Sequence, residues 1–171
     1  MPRDNTPLTA ADFAITEISF HDPRAEAIRT AMHAEMAARY AGTFADFTPD
    51  QVARADASMV LHPEEAIVSM LAVAPDGSSA AHAMLREHRG EWEVKRVVTD
   101  PAYRGFGLAA RVMHALHEYA RDRGVTRLVL QCGDRQPDAV ALYTKLGYTP
   151  ITPYEPYLSD MPNSLCFEIR L

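Results

Sequence analysis

The chain has 171 residues, 47% hydrophobic and 23% charged, with a formal net charge of −6. That length makes one domain, whose core needs neither metal nor disulfide, since a chain of this size buries roughly 70% of its surface on folding. The acidic balance argues against a nucleic-acid backbone as the main partner, because no global positive field would collect phosphates, and it is compatible with a cationic amine as substrate.

Residues 1–12 read as a flexible leader and residues 13–171 as the domain. The polar start "MPRDNTPLT" lacks the apolar segment of a signal peptide, and no apolar run reaches membrane-spanning length. A cytoplasmic protein with no membrane partner is expected. "AITEISF" (14–20) alternates as a strand, and Asp22 with Pro23 then starts a helix. Ile28, Met32, Met36 and Tyr40 recur at four-residue spacing and mark one buried face, with Gly42 as the stop. "TPDQVARADASM" (48–59), capped by Thr48 or Asp50, predicts a second, shorter helix.

"AIVSMLAVA" (66–74), the turn "PDGS" (75–78) and "SAAHAMLREH" (79–88) predict a hairpin, which "EWEVKRVVT" (91–99) extends into a meander. From Leu108 the pattern is helical: Leu108, Val112, Leu116 and Tyr119 line one face, and Arg111, His114, Glu118 and Arg121 the other, up to Gly124. "RLVLQC" (127–132) is a short buried strand, and "PDAVALYTKLGY" (137–148) a helix with Gly147 just past its end. "YTPI" and "SLCFEIRL" predict two last strands. The order implies a single α/β (α+β) domain, with a mixed, mostly antiparallel twisted sheet of about seven strands flanked by about four helices.

Cys132 and Cys166 lie in strand-like apolar surroundings and read as buried free thiols. His114 and His117 sit three apart on a helix, toward solvent and with no third ligand, so no metal is expected. Lys95 and Arg96 read as surface charges or pairing partners.

The chemistry-bearing stretch is "VVTDPAYRGFGLAARVM" (97–113). "GFGLAA" satisfies G-x-G-x-x-A, the dinucleotide fingerprint, or else simply makes a tight strand-to-helix turn. Against the fingerprint, the preceding strand is charged, too little chain follows for a full parallel sheet, and Gln131 ends the next strand where an acidic ribose ligand belongs.

With Arg104 in front, the stretch Arg104-Gly105-Phe106-Gly107-Leu108-Ala109 resembles the R/Q-x-x-G-x-G/A pyrophosphate-binding segment of the GNAT acetyltransferase superfamily. "EVKRVVTDPAYRG" is similar to that family's fourth strand and proline turn, and "AVALYTKLGY" to its second CoA motif. The match covers residues 91–171 well; residues 1–90 agree only in the order of elements. Where the family often has an asparagine seven residues before the helix tyrosine, this chain has Gln136.

The resemblance implies an acetyl-CoA-dependent N-acetyltransferase with a GNAT-like fold. Backbone N–H groups at Gly105, Phe106, Gly107, Leu108 and Ala109 would face the CoA pyrophosphate at a helix start, and Arg104 would add a charge-assisted contact. Val97, Val98 and Thr99 would pair with the pantetheine arm, and Gln136 would contact the cofactor. Tyr143 is the implied acid toward the departing thiolate and a cofactor contact; packing a helix face is its other reading. Glu93 is the implied base, directly or through water; a solvated or salt-bridged glutamate is its other reading.

The acceptor would be a small-molecule or peptide amine, attacking directly without an acyl-enzyme. Glu35, Tyr40, Tyr154 and Tyr157 are the candidates to receive it, with packing the alternative for each tyrosine. The family often dimerises, so a homodimer is possible. The rival functions are a catalytically silent acyl-CoA-binding module and a small NAD(P)-binding oxidoreductase.

Overall fold

The structure is a computed structural model that describes residues 7–171. The first half of the expected leader, 1–6, lies outside the described residues; its last residues, Ala10–Asp12, form a 3₁₀ turn closed by a Thr9–Asp12 capping box. Arg111 donates to the Ala10 carbonyl and ties that turn to the domain.

In chain order the elements are β1 (Ala14–Ile18), α1 (Pro23–Arg39), α2 (Pro49–Ser58), β2 (Ala66–Val73), β3 (Ser79–His88) and β4 (Glu91–Thr99). There follow α3 (Leu108–Arg121), β5 (Arg127–Gly133), α4 (Pro137–Lys145), β6 (Thr149–Ile151), α5 (Tyr157–Asp160) and β7 (Ser164–Arg170). All strands join one seven-stranded sheet in the order β1-β2-β3-β4-β5-β7-β6, antiparallel except for β4 and β5. The fold class read from the sequence is the one observed, with the four-residue α5 as an added helix.

Local chemistry sets the boundaries. The Asp22 carboxylate accepts from the Arg24 N–H with Pro23 in the first turn of α1, and Thr48 with Gln51 forms a capping box on α2. Leu108, Val112, Met113 and Leu116 of α3 are fully buried against one face of the sheet, beside Leu85, Val94, Leu128 and Leu130. Burying side chains of this size stabilises the fold by roughly 1.5–3 kcal/mol each. The other face carries a smaller apolar cluster of Ile18, Ala25, Ile28 and Leu71 beneath α1.

Two irregularities shape β4. Lys95 pairs with Met84, but Val98 pairs with His82, so β4 carries one extra residue between them. That bulge contains Arg96, which has a φ of 55°, a left-handed conformation unusual for a non-glycine residue. Beside β5, β4 pairs only at Glu93–Val129 and Val94–Leu130; beyond Val94 the two parallel strands part.

Three readings of surface exposure are corrected. Of the two readings of Lys95 the surface one fails and the pairing one stands: it is buried, because β4 is a central strand and α5 with the chain before it covers that face. Of the histidine pair only His114 faces solvent; His117 is buried and its Nε2 lies 2.9 Å from the Tyr148 hydroxyl. Met32 and Met36 are half-buried, because their face of α1 forms a cleft wall and not the closed core. Cys132 and Cys166 are buried free thiols. Among the described residues no helix is long and apolar enough to cross a membrane, and no group of three or more His, Cys, Asp or Glu gathers as a metal site.

Candidate active-site cleft

Where β4 and β5 part, a cleft of about 640 Å³ opens. Its walls are Val94–Thr99 of β4 and Gln131–Gly133 of β5. The C-terminal half of α1, the start of α4, and residues 161–164 complete it. The strand edges facing the cleft are unpaired beyond Val94, so their backbone groups are available to a ligand.

At one end of the cleft lies the start of α3. Gly105 (φ 91°) and Gly107 (φ 70°) both adopt left-handed backbone, and nothing lies within 4 Å of where a Cβ would stand on either. Conformation, with open space in front, is therefore what demands glycine here. Gly107 caps α3 without any side-chain hydrogen bond, leaving the first-turn N–H groups to face outward. Phe106 turns toward Phe13 at 5.3 Å between ring centroids and Leu108 is buried; neither these two nor Gly105 and Gly107 line the cleft, which Arg104 and Ala109 border on either side of them. Ala109 lines the cleft, as do Val97, Val98, Thr99, Arg104, Gln136 and Tyr143. An uncapped helix start, an arginine and an open strand edge thus lie at or beside one cleft.

Arg104 is 51% exposed and its guanidinium bonds the Glu35 carboxylate at 2.7 Å. The other Glu35 oxygen takes Arg39 at 2.9 Å. Glu35 therefore joins α1 to the start of α3 across the cleft mouth. Tyr40 crosses it too: its hydroxyl accepts the Arg135 N–H at 3.0 Å, and its ring lies so close to Gly133 that a Cβ there would overlap the phenol.

Tyr143 is buried on the cleft wall, with its ring 5.9 Å from Tyr148 and 6.0 Å from Phe167. Burial pushes its phenol above the ordinary range, so it keeps its proton. Both of its sequence readings, packing and proton donor, are compatible with that position.

Glu93, Tyr154 and Tyr157 come together behind the cleft wall and do not line it. Glu93 is 0% exposed and accepts from Arg86 Nε at 2.6 Å and from the Tyr154 hydroxyl at 2.7 Å. It is the salt-bridged glutamate of its second reading. Burial alone would raise its carboxyl, but the Lys95 and Arg86 charges outweigh this and hold it below the usual range. Arg86 also reaches Glu65 at 3.1 Å and the Tyr157 hydroxyl at 3.0 Å. Lys95 donates to that same hydroxyl at 2.9 Å.

Lys95 is the member of this network that also borders the cleft, through β4, with its side chain almost wholly buried. Burial pushes its ammonium down to about 8, against the pull of Glu93. Its neighbour Arg96 also lines the cleft and donates to the Met59 carbonyl at 2.7 Å. Neither was singled out from the sequence. The available signal was position: a lysine on a strand with neighbours on both sides has no open edge from which to reach water.

Residues 26–148 match the Acetyltransferase (GNAT) family. Among curated proteins, the chain is 37% identical over 79 residues to "IAA acetyltransferase" of Azospirillum brasilense, covering 46% of this chain and 51% of that protein. It is 33% identical over 90 residues to "Glucosamine 6-phosphate N-acetyltransferase 1" of Oryza sativa subsp. japonica, covering 53% of this chain and 52% of that protein. The chain thus spans about half the length of the curated relatives it matches. A Klebsiella pneumoniae crystal structure assigned as an acyl-CoA N-acyltransferase superposes with a TM-score of 0.73 at 28% identity, over 94% of this chain and 99% of that one. A GNAT family acetyltransferase from Elizabethkingia anophelis with acetyl-CoA bound superposes with a TM-score of 0.62 over 94% of this chain and 99% of that one, and its 12% identity carries the fold alone.

Proposed function

The chain belongs to the GNAT acetyltransferase family, and on that premise we propose that it transfers the acetyl group of acetyl-CoA to a primary amine by direct attack in a ternary complex. One observation carries the reading: β4 and β5 part beside a helix start whose glycines leave its N–H groups uncapped and its approach open.

Acetyl-CoA supplies an activated acyl carbon when bound. The residues of this chain fit it. The N–H groups at the start of α3 and the Arg104 guanidinium hold its pyrophosphate, while Gln136 stands at the head of α4. Arg104 uses only Nη2 on Glu35, so among the described residues its remaining N–H groups are free to meet an anion there. The unpaired edge at Val97, Val98 and Thr99 would receive the pantetheine arm, and its N–H groups would donate to the thioester carbonyl.

Two proton transfers remain for side chains. Lys95, neutral in part near its value of about 8, takes a proton from the incoming ammonium on its Nζ. Glu93 serves as the counter-ion that keeps Lys95 and Arg86 in place. Tyr143, proton-bearing on the cleft wall, donates to the departing sulfur. Cys132 also lines the cleft, but burial pushes its thiol up to about 12, which leaves no thiolate for an acyl-enzyme and favours direct transfer.

The test is acetyl-CoA-dependent release of free CoA across a panel of amines, with the acetylated product identified by mass. Product formation supports the reading. Saturable acetyl-CoA binding with no product from any amine would replace it with an acyl-CoA-binding module.

A further inference from the structure

Cations outnumber carboxylates around the cleft, where Arg39, Lys95, Arg96 and Arg104 stand against Glu35 and Asp138. Lys95 and Arg96 both face it from β4. The nearest carboxylates of the network behind them, Glu65 and Glu93, are both paired with Arg86. Glu35, on the opposite wall, is paired twice, with Arg39 and Arg104.

Arg96 is held in place and left incomplete. The β4 bulge puts it in left-handed backbone. Its carbonyl lies 2.9 Å from His82 Nδ1, which has only that oxygen to bond and so carries the proton and donates. One end of its guanidinium donates to the Met59 carbonyl at the close of α2. Its Nε is buried and has no partner among the described residues. Strain and a bulge concentrated on one residue, with a buried charged donor unsatisfied, mark a position kept for a ligand.

The groups around it add positive charge. Arg29 of α1 is buried, with Nη1 unpartnered among the described residues; it and Arg86 bear on Arg96 with like charge, while Tyr157 and Glu93 oppose them. His33 feels both Arg96 and Arg29. A bare cation in that corner would meet three arginines, whereas an anion would meet a partly desolvated guanidinium whose one protein bond is to the Met59 carbonyl. The site is distinct from the CoA phosphate site, because Arg96 hangs on the end of α2 and Arg104 stands at the start of α3.

We infer that the acceptor is an amine that also carries an anionic group, a carboxylate or a phosphate, and that Arg96 is the residue that binds this anion. The inference rests on the proposed acetyl transfer and narrows its substrate class. Met32, Met36, Met59 and Met161 line the same cleft, and suit an acceptor with some apolar body between its two charged ends.

The experiment compares matched amines with and without the anion, in wild type and Arg96→Gln: phenylalanine against phenethylamine, and O-phosphoethanolamine against ethanolamine. Wild type should use the anionic member of at least one pair at least tenfold better in kcat/KM, the pair identifying carboxylate or phosphate. Arg96→Gln should collapse that ratio toward one, and Arg96→Lys should keep part of it. Equal use of both members by wild type, or an unchanged ratio in Arg96→Gln, overturns the inference.

A calorimetric titration of the same amines in the presence of CoA separates this from failure of the transfer reading. If no amine is acetylated, binding of an anionic member that weakens tenfold or more in Arg96→Gln still supports the site, and absence of such binding overturns it. A thermal melt and an acetyl-CoA titration on each variant confirm that it has folded.

Discussion

Lys95 donates to the Tyr157 hydroxyl at 2.9 Å with its ammonium buried among protein groups. A lysine so placed has exchanged water for one phenol and a nearby carboxylate, and burial wins: its proton is held less tightly than in water.

Replacing Lys95 by Met should therefore lower kcat by about a hundred- to ten-thousandfold, the range ascribed to a positioned base. Acetyl-CoA affinity should stay near that of wild type. The wild-type kcat profile should rise with pH through an inflection near 8, and the variant should lose that inflection. A retained inflection with undiminished kcat would remove Lys95 from the proton path.

The same group sets a stability trend. An unfolded lysine keeps its proton to about 10.4, whereas the folded one loses it near 8. Between those values the unfolded chain binds more protons, so Lys95 makes the fold more stable as pH rises through that window. Urea unfolding at pH 7.5 and 9.5 should show wild type gaining more on that rise than Lys95→Met.

Tyr143→Phe removes the hydroxyl and keeps the ring contacts with Tyr148 and Phe167. Turnover should fall with acetyl-CoA binding nearly intact, and the loss should be largest for amines whose acetylation is limited by thiolate departure. Unchanged kcat across the amine panel would leave Tyr143 with packing alone.

Gly133 is small because Tyr40 lies on it. Gly133→Ala should displace Tyr40, break its bond to the Arg135 N–H and cost about 1–3 kcal/mol, the ordinary penalty of overpacking. Gly133→Ala/Tyr40→Ala should recover part of that loss. Denaturant melts of the four proteins give the coupling directly; simple additivity would show that the contact does not matter.

His117 is buried beside Tyr148, and burial, with help from the His114 and Arg121 charges, pushes it down to about 4. An unfolded histidine binds its proton near 6.5, so as pH falls from there to about 4 the unfolded chain takes up protons the fold refuses. Stability should drop across that window by about 1.4 kcal/mol at most for each pH unit. His117→Gln should flatten the drop in part, His82 having the same sign and direction. A pH dependence equal in wild type and His117→Gln would contradict the buried neutral histidine.

Much of the fold was legible because its signals are local. The "PDGS" turn and the alternation around it place β2 and β3, and Asp22 with Pro23 places the start of α1. The glycine turn was legible too, since a left-handed pair before an apolar helix leaves few conformations.

What escaped depends on neighbours distant in sequence. Glu93 and Lys95 each kept an exposed and a paired reading, because nothing in "EWEVKR" reveals that Tyr154 and Tyr157 will cover them. Met32 and Met36 follow core periodicity, which cannot tell a core from a cleft wall. Glu35 suited a cationic amine as a lone carboxylate; the fold pairs it with Arg39 and Arg104. Four residues at Tyr157–Asp160 are too few to show any helical period.

The most direct measurement is a thermal-shift titration of wild type and Arg104→Ala with acetyl-CoA, CoA and NAD(P)H. A saturating shift with acetyl-CoA and CoA, weakened in Arg104→Ala and absent with NAD(P)H, is the predicted result. A shift with NAD(P)H and none with either CoA compound would contradict the account and return the glycine turn to its dinucleotide reading.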